Sequence, residues 1–298
     1  MSLDTANAAP GIRAPTGFRS ALISTAGHCK IACGFCLRAD RGHTFLDLAT
    51  YTRALSRLKE IGVEGICLTG GEPTHHPELR QLVRLAHQFG LSVSMVTSAR
   101  TEADVTRLSA LAHLLQNVTV SADSLEAMTL GRTTRTVQSA MSTLGRVDTP
   151  GQVLHLTYWR ITDDECAEIA EQLDSADVEI QLSPVVLDKT AIRRAGLTVT
   201  DYLEQQQSDA EALDRHFKLG VGVQRHLEVL RGLYLPEEQR HPCRSPTLYL
   251  SATGDLRRCP YGQGISVHEP RADLTVFLNR SSTDRVTPDC AALCRRPD

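Results

Sequence analysis

The stretch Cys29-Lys30-Ile31-Ala32-Cys33-Gly34-Phe35-Cys36 decides how the rest of the chain is read. Three thiols fall within eight residues, directly after the strand-like run Ala21-Leu22-Ile23-Ser24-Thr25. Thiolates are the usual ligands of iron–sulfur clusters, and a tight loop with this spacing suits three irons of a cubane 4Fe–4S cluster. Three ligands for four irons leave one iron open, where a small molecule can chelate and react. Zinc also takes thiolates, but its sites usually pair them as C-x2-4-C, with a second pair or His completing four ligands.

Around this loop the chain of 298 residues is long enough for one large domain or two small ones. A hydrophobic content of 41% and a charged content of 22% are those of a soluble globular protein. The net charge of -3 gives no basic footprint for nucleic acid. No apolar run approaches the roughly 18 residues that a membrane span needs. Residues 1–18 lack the apolar block of a signal peptide and read as a flexible tail, so a cytoplasmic protein is expected. Nine cysteines in a reducing compartment serve metal binding or chemistry more readily than disulfides.

From Asp47 to about residue 185, short β-rich runs alternate with amphipathic helices, the pattern of a parallel α/β sheet. Strands are expected at Gly65–Leu68, Leu91–Thr97, Asn117–Ser121, Val153–Trp159 and Val178–Leu182. Helices are expected at Tyr51–Ile61, after Pro77, at Glu102–Leu115 and in one piece ending near Gly145. Thr162-Asp163-Asp164-Glu165 has the form of a capping box. With the run before Cys29 there are six strand–helix units. That is too few to close an eight-stranded barrel, so the expected fold is a partial (β/α)6 TIM-like barrel over 19–235. A small α+β domain is expected over 236–298, where Pro, Gly and the last cysteines gather.

A second motif, Gly70-Gly71-Glu72-Pro73, closes the second strand. Glycines let backbone approach a ligand closely, and exposed carbonyl and carboxylate acceptors can take hydrogen bonds from an ammonium group. Together, Cys-x3-Cys-x2-Cys with Phe35 before its last Cys and the Gly-Gly-Glu-Pro stretch resemble the radical S-adenosylmethionine (SAM) superfamily over roughly residues 19 to 185. The resemblance implies a SAM-binding 4Fe–4S cluster on Cys29, Cys33 and Cys36. It also implies a SAM pocket formed by Phe35, Gly70, Gly71, Glu72, Pro73, Ser121 and one of Thr97 or Ser98. A flavodoxin- or ferredoxin-type reductant and a small-molecule substrate come with it. Ligands of parallel sheets sit beyond the carboxyl ends of strands, where these residues fall. His75 and His76 are read as structural.

The other cysteines divide further. Cys243, Gly254 and Cys259 follow C-x10-G-x4-C, and Cys290 and Cys294 come later. This resembles the SPASM or twitch extension of the superfamily, and four thiols match one auxiliary 4Fe–4S cluster in a twitch domain. A hairpin turning on Thr253-Gly254-Asp255 would bring two of them together. A structural zinc knot takes the same four ligands. Cys166 lies on an apolar stripe with Ile169 and Leu173 and reads as core.

Cys67 stands where the molybdenum-cofactor GTP cyclase family has a nucleotide-contacting Arg, which implies a side chain facing the barrel interior. A thiol there can donate a hydrogen atom to a substrate radical; the alternative is a buried strand cysteine. The GTP cyclases depart from this chain at Cys67, at Trp159 where they have a Lys, and in the C-terminal cysteine spacing. The 28 residues before Cys29 are few for a leader-peptide-binding domain. What remains resembles twitch-bearing carbohydrate epimerases and aminocyclitol dehydrogenases of antibiotic pathways. Epimerisation of a carbinol carbon with Cys67 as donor is expected, with oxidation to a ketone, peptide modification and a non-catalytic electron carrier as alternatives. Tyr158, Arg160 and Asp123 are candidates for holding substrate hydroxyls.

Overall fold

The computed structural model describes residues 18–27, 29, 33–35, 42–219, 227–228, 230–232, 234–235, 247–260 and 262–279. Six parallel strands form its body: β1 (Ser20–Ala26), β2 (Gly65–Gly70), β3 (Ser92–Thr97), β4 (Asn117–Asp123), β5 (Gly151–Tyr158) and β6 (Glu179–Pro184). Between them run α1 (Leu48–Glu60), α2 (Leu79–Gln88), α3 (Glu102–Ser109), α4 (Leu125–Gly131), α5 (Val137–Leu144) and α6 (Asp163–Asp174). After β6 come α7 (Lys189–Arg194) and α8 (Val199–Phe217). The sheet runs in the order β6-β5-β4-β3-β2-β1 and does not close, so the expected open α/β barrel is what the chain forms.

Three short strands extend the same sheet beyond β1: β7 (Leu248–Leu250), β8 (Asp255–Arg257) and β9 (Gly264–Ser266), followed by α9 (Arg271–Asn279). β7 is parallel to β1, and β7–β8 is the expected hairpin, turning at Gly254 with φ +87°. A side chain at Gly254 would meet Thr50 Cγ2 at 2.6 Å, so the hairpin packs directly on α1.

The two faces of the sheet differ sharply. Ile23, Leu68, Met95, Val118, Val120, Leu154 and Leu156 are fully buried against Leu55, Leu58, Leu82, Leu108 and Leu144 of the helices. Side chains alternate along a strand, so Ser24, Cys67, Thr69, Ser94, Ser121, His155, Gln181 and Ser183 occupy the opposite, concave face. Parallel strands are usually apolar on both faces. Leu22, Val96 and Val153 share this face, yet its largely polar lining marks a surface that receives something other than a hydrophobic layer.

Three expectations need correction. The helix expected over Glu102–Leu115 stops at Ser109 and gives way to a 3-10 turn at Ala112–Leu114, which keeps Leu111, Ala112 and Leu115 all buried as the chain turns towards β4. The helix ending near Gly145 is two helices, parted at Arg132 in the left-handed region with φ +51°. The capping box at Thr162 is half made. Thr162 accepts the Glu165 N–H, but the Glu165 carboxylate accepts the N–H of Leu125 at 2.8 Å, serving the start of α4 in place of its own helix.

Candidate active site

The cysteine loop is pinned at its base and at its tip. At the base, Gly27 N–H donates to Thr44 O and Leu46 N–H to Thr25 O, both at 3.0 Å, around an antiparallel bridge between Ala26 and Phe45. At the tip, Gly34 N–H donates to Gly131 O at 3.0 Å. A Cβ on Gly131 would lie 2.2 Å from the Phe35 ring, so this aromatic is seated on α4 through a position only glycine can fill. Cys29 and Cys33 are half-buried between these anchors. Cys36 lies outside the described residues, as do Cys243, Cys290 and Cys294. Among the described residues no three His, Cys, Asp or Glu side chains converge as a metal site. Half-buried thiols on a loop held at both ends nonetheless have the donor chemistry of a thiolate-ligated cluster.

The Gly-Gly-Glu-Pro rim stands against the start of this loop. Gly71 N–H donates to Ala26 O. Gly70 has φ +114°, and a side chain there would strike Ser24 Oγ at 2.6 Å and Ala26 O at 2.7 Å. Its glycine is required by close approach to the end of β1. Glu72 is 2% exposed, and its carboxylate makes five donor contacts. These come from the N–H and hydroxyl of Thr74, the hydroxyl of Thr97, and the N–H and hydroxyl of Ser98. The hydroxyl proton of Thr74 is shared with Asp104, 3.0 Å away. The expectation of an exposed Glu72 carboxylate is therefore corrected: β3 has taken it up. Thr97 also accepts the Ala99 N–H at 3.0 Å, so its hydroxyl keeps one acceptor lone pair where that of Ser98 keeps two. Pro73 opens the 3-10 turn Pro73–His75 and is buried.

His76 is structural, as expected. Its Nδ1 accepts the Glu78 N–H at 3.1 Å, so the proton sits on Nε2 and is donated to Leu46 O at 2.9 Å. Burial holds its pKa below the ordinary imidazole value. Cys166 is fully buried in the core. Cys67 is half-buried on the concave face, and desolvation pushes its thiol up to about 12. Ser121 stands on the same face, in register with His155 of β5. Asp123 at the rim of β4 is engaged by the Arg135 guanidinium and by the Thr133 hydroxyl. Cys259 follows β8, half-buried.

Beyond β5 and β6 a second apolar cluster forms the other half of the rim. Trp159 stacks on Tyr202 with ring centroids 5.4 Å apart, Tyr202 meets Tyr234 edge-on, and Phe35 and Leu130 pack against the group. The cysteine loop thus leans on this cluster. α8 clamps the strand ends: Tyr202 OH donates to Val185 O at 2.7 Å and Gln206 Nε2 to the same carbonyl at 3.2 Å. Asp209, 1% exposed, accepts the Arg160 N–H and the Gln205 amide, each at 2.8 Å. Arg160 is held at φ +48° with its guanidinium over the Trp159 ring. Burial raises the Asp209 carboxyl to about 6. Tyr158, a candidate for holding substrate, is 3% exposed and belongs to the core.

His155, Gln181, Ser183 and Asp209 were not singled out from the sequence. The signal for the first three was present, since polar residues at every second position of parallel strands point away from the helices.

A family model for the Radical SAM superfamily matches residues 23–173, just over half of the chain, and the chain belongs to that superfamily. Membership brings a 4Fe–4S cluster and SAM. The chain is similar to the PqqA peptide cyclase of Rhodopseudomonas palustris, 37% identical over 26% of this chain and 22% of that one. It is also similar to the S-adenosylmethionine-dependent nucleotide dehydratase of a Thermoplasmatales archaeon, 32% identical over 39% of this chain and 42% of the other. The matched region thus spans well under half of these curated relatives. Streptococcus suis SuiB, solved with its precursor peptide SuiA, has a similar fold, with a TM-score of 0.61 at 15% identity over 88% of this chain and 65% of that chain. Among the described residues no helix is long and apolar enough to cross a membrane.

Proposed function

We propose that this radical SAM enzyme abstracts hydrogen from a carbinol carbon of a sugar or aminocyclitol and epimerises it, with Cys67 returning the hydrogen atom. The cluster and SAM would supply a 5'-deoxyadenosyl radical by one-electron reductive cleavage. Cys29, Cys33 and Cys36 would hold the cluster. The Gly70-Gly71 backbone would receive the methionine ammonium, since the Glu72 carboxylate is already engaged, and Ser98 and Ser121 offer hydroxyls for the ribose. An auxiliary 4Fe–4S cluster on Cys243, Cys259, Cys290 and Cys294, in a twitch domain, belongs to the same reading. So do a cytoplasmic setting and a flavodoxin- or ferredoxin-type reductant.

The observation that carries the reading is the place and state of Cys67. It stands on the concave face just below the Gly-Gly rim, and burial holds its thiol at about 12, so sulfur keeps its hydrogen at neutral pH. Hydrogen-atom donation needs S–H, not thiolate. The S–H bond breaks as the C–H bond forms on the opposite face of the planar carbon radical. The sulfur radical left behind takes one electron from the reductant and one proton from water to restore the thiol.

Deuterium from D2O tests this, because the thiol exchanges with solvent. Deuterium at the carbinol carbon, abolished by Cys67→Ala, is the expected result. A ketone without deuterium would replace it with the dehydrogenase reading. A peptide substrate is the second reading, supported by the names of the PqqA peptide cyclase relatives and by the fold shared with SuiB. A cross-linked or oxidised peptide product would establish it.

A further inference from the structure

The two residues just past β5 are each bonded to the scaffold through their backbone. Trp159 N–H donates to Ser124 Oγ at 3.1 Å, and the same hydroxyl donates to Trp159 O at 3.3 Å. Asp209 accepts the next N–H, that of Arg160, at 2.8 Å. Both anchors are buried, and burial raises the Asp209 carboxyl to about 6. A charge kept in such a place costs stability. The backbone it holds is left-handed, with φ +48° at Arg160. Arg132 and Lys218 share that conformation but cap α4 and α8, where it is a common way to end a helix. Arg160 ends no helix. Glycine would take this conformation without strain, which leaves the side chain as the reason for an arginine here.

That side chain is exposed and stands beyond the carboxyl end of a strand, where ligands of parallel sheets bind. Its guanidinium lies over the Trp159 ring, 5.6 Å from the centroid, and the ring is itself stacked on Tyr202. Stacking on an aromatic fixes the plane of a guanidinium and leaves its N–H fork for a planar oxyanion. Carboxylates are near, yet among the described residues none lies within ion-pair distance of it. Asp163, in the first turn of α6, pairs with Arg215 and His216, and Glu165 of the same turn accepts the Leu125 N–H. Asp209 feels the guanidinium charge but spends its oxygens on the Arg160 N–H and the Gln205 amide.

We propose that Arg160 is a substrate-binding residue that holds an oxyanion, so that the sugar this chain takes is an acidic one, carrying a carboxylate or a phosphate. The claim rests on the carbinol reading above and narrows its substrate class, since a cationic aminocyclitol would be repelled at this point of the rim. A charge-assisted bond to arginine strengthens binding about tenfold over the neutral sugar.

Saturation-transfer NMR on the reconstituted protein with SAM measures the affinities of glucose, glucuronic acid, glucose 6-phosphate and paromamine. At least one acid is expected to bind about tenfold tighter than glucose, and paromamine to bind more weakly than that acid. The larger gain names the source of the oxyanion, carboxylate or phosphate. Arg160→Gln should bring the acids down to the glucose value and leave glucose unchanged, a loss of selectivity that a general loosening of the fold would not give. Arg160→Lys should keep part of the gain, because an ammonium supplies the charge without the fork. Added salt should shrink the gain in the parent protein and have no such effect in Arg160→Gln. If neither acid binds better than glucose, or paromamine binds best, the acidic substrate is overturned and the carbinol reading stands. A preference for acids that survives Arg160→Gln overturns the role of Arg160. Binding of none of the four removes the seat, while the deuterium test still decides the reaction independently. Reductive 5'-deoxyadenosine release with a Gly-Ser pentapeptide and with none of the sugars removes the carbinol reading and this inference together.

Discussion

Two buried carboxylates hold opposite halves of the barrel rim, and they are held differently. Glu72, beside β2 and β3, sits in a shell of five donor contacts drawn from Thr74, Thr97 and Ser98. Asp209, on α8 beside β5, has the Arg160 N–H and one side-chain amide at 2.8 Å, and burial leaves it changing charge at about pH 6. The first half faces the cysteine loop and is fixed by short-range polar bonds among residues close in the fold. The second is fixed by a helix laid across strand ends, with stacked aromatics between. A pocket shared by a superfamily and a substrate side particular to one chain would be expected to divide in this way.

The sharpest test of that division is iron. Cys33→Ala should lose the iron of the SAM-binding cluster, keep only that of the auxiliary cluster, and abolish SAM cleavage, since two thiolates cannot hold a cubane in place of three. Trp159→Leu, in the other half, should keep its iron. Loss of iron from both variants would show that the halves do not divide the work. Next in size is Glu72→Gln. The carboxamide turns two donors towards donors that already point at it, and a buried mismatch of this kind costs about 2–4 kcal/mol. Urea unfolding measures it. A loss under about 1 kcal/mol would mean that the donors find other partners.

The same contrast explains what could be read from the chain. The cysteine loop and Gly70-Gly71-Glu72-Pro73 were legible because each motif is contiguous in sequence, although the donors from Thr97 and Ser98 that hold Glu72 lie 25 and 26 residues on, and the six-unit barrel followed from the period of its strands. Asp209 was not legible. It lies in a polar helix, and the backbone it holds is 49 residues away. Glu165 misled for the same reason: Thr162-x-x-Glu165 fits a capping box, yet a donor from α4 competed for the carboxylate. The polar concave face, with Cys67, Ser94, His155 and Gln181 on it, was visible in the text of the strands, but needs the strands aligned before it reads as one surface.

Asp209 supplies the pH test. Its folded pKa of about 6 lies above the ordinary carboxylate value of 3.8, so the folded state binds the extra proton. The group's contribution to stability is then fully present below pH about 4 and is lost as pH rises through 6, an effect of roughly 2–3 kcal/mol. His76 works in the opposite sense, since its lowered pKa costs stability as pH falls below the usual imidazole range. Comparing Asp209→Asn with the parent protein cancels His76 and isolates Asp209. The variant should gain on the parent by roughly 2–3 kcal/mol between pH 4.5 and 8 in denaturant titrations. A difference that stays flat with pH would remove the contrast between the two carboxylates.

The smallest effect probes how α8 grips β6. Tyr202 OH and Gln206 Nε2 both donate to Val185 O. Removing one donor leaves the carbonyl with the other, so Tyr202→Phe should cost only about 0.5–1 kcal/mol. Gln206→Leu should cost a similar amount, because the buried carbonyl still keeps one partner. The double variant leaves that carbonyl buried without a donor and should lose about 1–3 kcal/mol beyond the sum of the two. Simple additivity would mean that water reaches Val185 when α8 lets go. In that case the β5–β6 half of the rim is held by the stacking of Trp159 on Tyr202, and the two hydrogen bonds only follow from it.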